Sequence, residues 1–236
     1  MFTPELILNL LEKLDTSEIT NTSDEIIDDS MQGNPGNQGN QGSVEESCSD
    51  MRTNLLVIDG FYHNVDGVRK FALSQKFDVV GNYPGKRTKA FNNDSTRDKI
   101  QGFLYPHAGE IIDWMENEDQ YCGSFQMSYS TDRSWIHTDD HNNWAGVLYL
   151  TPNAPTTGGT GFYKSKVNGS IYGKNDDPAG DYAQDKTQWD LIGEVHNIYN
   201  RLVLFRADQW HTSMEYFGNN NKNGRLTQVF FFSTEY

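Results

Sequence analysis

The sequence predicts a mainly β domain with flanking helices, folded as a double-sheet jelly roll. Three observations predict it. Helix-period apolar spacing is confined to the front of the chain. From Gly123 onward, short aromatic and β-branched runs follow one another between turn-forming clusters. At 236 residues the chain suits one domain with an extension, or two small ones, and the polar leading segment favours the first.

The elements follow in order. Thr3-Pro4-Glu5 is a helix start, with a cap, a proline in the first turn and an early acid. Leu6, Ile7, Leu10, Leu11 and Leu14 then share one face, predicting an amphipathic helix over 1–14 that packs on the domain or on a second copy. Residues 15–52 are acidic and poor in aromatics, predicting a flexible linker. Gly33, Gly36, Gly39 and Gly42 repeat at period three, but with Pro35 alone the run is too short for a triple helix.

The folded domain is expected over 53–236. Leu55–Ile58 reads as a strand. Asn64–Gln75 reads as a helix carrying Val68, Phe71 and Ala72, and Pro106–Glu116 as another carrying Ala108, Ile111, Ile112 and Met115. Strands are then predicted at Ser124–Ser130, Ser134–Asp139, Ala145–Thr151, Gly161–Lys164, Trp189–Ile192, Arg201–Arg206 and Leu226–Ser233. Pro152–Gly159 and Asn219–Gly224 supply the most evident turns.

Charge excludes several partners. The net charge is −14, and residues 1–51 hold 11 acids and one lysine, leaving −4 on the remainder. With no basic stripe, the chain is unsuited to nucleic acid or anionic lipid. No apolar run approaches the roughly 20 residues of a membrane span. Glu5, Glu12 and Lys13 interrupt any signal-peptide pattern, and Cys48 and Cys122 read as free thiols. A cytoplasmic protein is expected.

The chemistry-bearing residues are His137-Thr138-Asp139, a distant His211, and Arg225. On an extended strand His137 and Asp139 project to one face. His211 could then complete a two-histidine, one-carboxylate set with open positions, which suits non-haem Fe(II). Two alternatives stand beside it. His137 and His141 are four apart, as in a helical zinc pair, and Asp140 competes with Asp139 as the carboxylate. His63, His107 and His196 fit no ligand pattern. Trp135 shares the strand face of His137, and Asn82–Arg87 reads as an exposed loop or substrate lid.

Several pieces in this order resemble the Fe(II)/2-oxoglutarate-dependent dioxygenases, and among them the prolyl-4-hydroxylase-type branch. His137-x-Asp139 matches the HxD metal motif. Val147-Leu148-Tyr149-Leu150-Thr151 resembles the strand that follows it. Gly158-Gly159-Thr160-Gly161-Phe162 resembles the glycine-rich turn, and Asn200–Phe205 leading to Trp210-His211 resembles the delivery of the second histidine. Arg225-x-Thr227, fourteen residues after His211, resembles the pair that holds the cosubstrate's far carboxylate.

This resemblance implies a double-stranded β-helix, cupin-like core. It implies His137, Asp139 and His211 as iron ligands, and Arg225, Thr227, Tyr149 and Tyr129 as 2-oxoglutarate contacts. O2 would be the second cosubstrate, and Asp139 argues for hydroxylation over halogenation. A peptide, a protein side chain or a small metabolite would be the substrate. Two rivals remain: a non-catalytic jelly-roll binding or virion-associated module, and a cupin-like metal enzyme without a keto acid.

Overall fold

The computed structural model describes residues 53–114, 121–139, 141–173 and 182–235. The expected N-terminal helix and acidic linker lie outside the described residues.

β1 (Leu55–Asp59) is followed by α1 (Val65–Ser74), β2 (Lys86–Arg87), α2 (Asp94–Ala108) and β3 (Glu110–Ile111). Eight more strands follow: β4 (Phe125–Ser128), β5 (Trp144–Tyr149), β6 (Thr160–Ser165), β7 (Trp189–Val195), β8 (Arg201–Arg206), β9 (His211–Ser213), β10 (Arg225–Phe232) and β11 (Thr234–Glu235). A six-stranded sheet runs β1-β8-β5-β10-β4-β2, and a three-stranded sheet runs β7-β6-β9. Neighbouring strands in both are antiparallel. This is the predicted jelly roll.

Strand alternation sorts the large sheet into two faces. Leu148, Leu202, Leu204, Leu226, Phe230 and Phe232 join a core with Val68 and Ala72 of α1 and Ile100, Leu104 and Ala108 of α2. The alternate residues Ala145, Tyr149, Val203 and Phe205 turn inward and join Phe162 and Val195 of the small sheet. Both faces of the central strands are thus buried, which explains their near-continuous apolar runs. Phe230 is fully buried and stacks on Trp114 at 6.0 Å. Phe230→Ala is expected to remove about 3–5 kcal/mol of stability, seen as a lower denaturant midpoint with an unchanged slope.

The second helix differs from expectation. It spans Asp94–Ala108, capped by Asn93, whose side chain accepts from the Thr96 amide. Pro106 lies in its last turn rather than its first, and the chain leaves through Gly109 at φ 77. Ile111 therefore falls in β3, paired with β11. Met115 and Glu116 lie outside the described residues.

The predicted strand Ser134–Asp139 is also corrected. Its amides go to three places: Ile136 to Ala183, His137 to His211, and Asp139 to Ala207. Bonds so divided make a bridge at His137, not a ladder. Asn82–Arg87 is neither loop nor lid throughout, because Lys86–Arg87 is the edge strand β2, paired with β4.

Cys122 is buried and unpaired, with its thiol pushed up to about 12 by burial. Among the described residues no helix is long and apolar enough to cross a membrane.

Candidate active site

His137 and His211 are bonded to each other through both backbone amides, at 3.0 Å each way. Residues so paired project their side chains to the same side. β9 is held on its other edge by β6, with His211 opposite Phe162. The two imidazole centroids lie 4.5 Å apart. Asp139 reaches the same point because its amide is tied to the Ala207 carbonyl at 2.7 Å. Its carboxylate lies 3.2 Å from Nε2 of His211 and 3.8 Å from Nε2 of His137.

Ligand atoms of the three residues all fall within 4.8 Å of one another, a group that could hold a metal ion. His141 is exposed, stands in a turn and is outside this group, so the helical zinc pair is overturned. Asp140 lies outside the described residues.

The hydrogen bonds behind the rings set their chemistry. Nδ1 of His137 faces the Trp135 carbonyl, and Nδ1 of His211 faces the Gln209 carbonyl, both at 2.9 Å. A carbonyl only accepts, so each Nδ1 carries the hydrogen and each Nε2 turns a lone pair toward Asp139. Lone pairs this close to a carboxylate repel unless a proton or a cation lies between them. Burial, followed by the charge of His211, lowers the pKa of His137 and favours the neutral ring. Burial alone would raise Asp139. A proton on Nε2 of His211, standing where a cation would, donates to the carboxylate; that bond and the charges of His211, His137 and Arg87 outweigh burial and hold Asp139 below the usual carboxylate range. Two imidazoles with Nε2 turned inward and an ionised carboxylate form a donor set that fits a divalent transition metal.

The inner face of the large sheet carries a second polar group. Arg225 on β10 is 3% exposed. Its Nε donates to the Gly158 carbonyl at 3.0 Å, and its Nη2 is buried without a partner. Gly159 beside it packs so tightly on the Val195 backbone that a Cβ would collide. Thr227 faces the same way and lies opposite Tyr149. Tyr149 is fully buried and its hydroxyl meets Thr160 Oγ1 at 2.7 Å, joining the two sheets. The Arg225 guanidinium stands 5.6 Å from the Tyr149 ring and 5.8 Å from that of Tyr216.

Tyr129 is not brought to this group. It is in phase with Phe125 and Met127, packs on the helix-side core, and donates its hydroxyl to Asn221 in the turn before β10. The inward residue at this point is Ser128, opposite Arg225, and its buried Oγ has no partner. Arg87 and Gln126 share this inward face, where the sequence reading had placed Arg87 only within an exposed loop or substrate lid. The alternation of Gln126 and Ser128 with Phe125 and Met127 was the signal that polar side chains face inward there.

A family model described as a family of unknown function, DUF6445, matches residues 43–179. The chain belongs to this family. No curated protein matches it. Among solved structures, HygX from Streptomyces hygroscopicus with nickel and 2-oxoglutarate bound is 10% identical, with 77% of this chain and 83% of that one covered and a TM-score of 0.54. HygX with hygromycin B also bound gives 10% identity, the same coverage and a TM-score of 0.53. A Pseudomonas putida prolyl-4-hydroxylase is 14% identical over 78% of this chain and 94% of that one, with a TM-score of 0.43. The likeness to HygX shows that this DUF6445 member shares its fold.

Proposed function

We propose that this chain is an Fe(II)- and 2-oxoglutarate-dependent dioxygenase, acting as a hydroxylase. The observation that carries the proposal is the unpartnered Nη2 of Arg225 beside the unpartnered Oγ of Ser128, both buried on one sheet face. Burying a guanidinium edge and a hydroxyl without acceptors is costly. A carboxylate offers both what they lack, and Arg binds it in a two-pronged way. In HygX, a protein of this fold, nickel and 2-oxoglutarate are bound together.

His137, Asp139 and His211 would hold the iron. Arg225, Thr227 and Ser128 would take the far carboxylate of the keto acid, with Tyr149 walling that side. The bound iron and keto acid would supply, with O2, a two-electron oxidation of a substrate C–H bond, releasing succinate and CO2. The protein's own part is to fix both histidine tautomers through Trp135 and Gln209, to anchor the keto acid, and to exclude water.

The substrate would be a peptide, a protein side chain or a small metabolite, bound within a cytoplasmic catalytic domain spanning 53–236. The prolyl-4-hydroxylase-type branch stands on the motifs His137-x-Asp139 and Arg225-x-Thr227.

The test is turnover without substrate. The Fe(II)-loaded chain in air should convert 2-oxoglutarate slowly to succinate. A non-catalytic jelly-roll module, or a metal enzyme with no use for a keto acid, would form none.

A further inference from the structure

A second buried cation faces the same interior. Arg87 on β2 is 7% exposed, and among the described residues no acid pairs with it. Its Nε donates to Gln126 Oε1 at 2.9 Å. Gln126 is itself held by donating from Nε2 to the Pro84 carbonyl at 2.8 Å, which fixes the amide's orientation. Aromatic rings wall the guanidinium: Tyr83 at 3.9 Å, Tyr121 at 4.9 Å and Phe231 at 5.6 Å. The Tyr83 hydroxyl is buried with no partner. Arg87 lies near enough to the metal-ligand group for its charge to act on both Asp139 and His137. The register Arg87–Gln126–Thr227–Tyr149 runs in one row across the sheet.

We infer that Arg87 is the docking point for a carboxylate on the substrate, so that this site oxidises small carboxylate-bearing molecules. The inference rests on the oxygenase reading above and narrows its substrate class. Stacking on aromatic rings returns only part of what it costs to bury a guanidinium, and an anion returns the rest. With Nε occupied, the two Nη groups remain as a planar edge between flat walls, a shape that matches a carboxylate's two oxygens.

Charge balance points the same way. A divalent metal with Asp139, 2-oxoglutarate with Arg225, and then Arg87 leave one positive charge in a low-dielectric interior. A monoanionic substrate neutralises it. The competing account is that Arg87 is only a packed cation closing the sheet edge.

The test uses the full chain loaded with Mn(II) and saturating 2-oxoglutarate. Manganese-induced NMR line broadening is read on matched probes: hexanoate against hexanamide, and 3-phenylpropionate against 3-phenylpropionamide. At least one carboxylate should be broadened at concentrations about 10-fold below its amide, without displacing 2-oxoglutarate. Arg87→Gln should erase that preference, and Arg87→Lys should restore part of it.

Equal broadening of acid and amide, a carboxylate that binds only by displacing 2-oxoglutarate, or a preference that survives in Arg87→Gln would overturn the inference. The acid–amide comparison in the unaltered chain stands even if both variants fail to fold. Failure of the unaltered chain to bind 2-oxoglutarate at all would instead remove the oxygenase reading, and this inference with it.

Discussion

His137→Ala is expected to abolish ferrous binding and succinate formation together. Removing even a partner that only orients a metal ligand costs roughly 10–100-fold in affinity. Losing one of three ligands should exceed that. His211→Ala should do the same, but its side chain is only 7% exposed and its ring lies 4.5 Å from that of Phe205. That variant also leaves a cavity, so its thermal midpoint must be measured beside its metal affinity. His137 keeps 31% of its side-chain surface open, which makes it the cleaner probe. His141→Ala should bind Fe(II) as the unaltered chain does. Isothermal titration under anaerobic conditions reads all three. A His137→Ala variant that held Fe(II) with unaltered affinity would contradict the assignment.

Arg225→Gln is expected to act on the keto acid and to spare the metal. The substitution keeps a donor but removes the charge and the fork, and it leaves the Gly158 carbonyl and Ser128 in place. Losing a charge-assisted pair costs about 3 kcal/mol, or on the order of 100-fold in half-saturation by 2-oxoglutarate. Fe(II) affinity without the keto acid should barely move. Ser128→Ala should give a smaller loss of the same kind. These split effects separate a carboxylate anchor from a residue that only supports the fold, since the latter would weaken metal and keto acid alike.

Much of this was legible in the sequence, for physical reasons that differ by element. β5, β8 and β10 were found because each is sandwiched between helices and a second sheet, so both faces are apolar. α2 was missed because its buried stripe is only Thr96, Ile100, Leu104 and Ala108 in an otherwise polar run. Pro106 then read as a helix start. The candidate metal group was visible because His137-x-Asp139 keeps both side chains on one side, even though the segment is a single bridge and not a strand.

Tyr129 was misplaced because spacing to His137 carries no information about sheet face once the chain leaves β4. Parity with Phe125 and Met127 decides it, and puts Ser128 inward instead. Arg87 could not be found from local pattern. Its burial depends on pairing with Gln126, 39 residues away, and on rings contributed by Tyr121 and Phe231.

The most direct test of the central claim is an anaerobic titration of the Fe(II)-loaded chain with 2-oxoglutarate, followed by visible absorption. A keto acid chelated to ferrous iron beside Arg225 should raise a charge-transfer band that saturates at one equivalent, is weakened in Arg225→Gln and is absent in His137→Ala. A chain that binds Fe(II) but develops no band at any 2-oxoglutarate concentration would contradict the account.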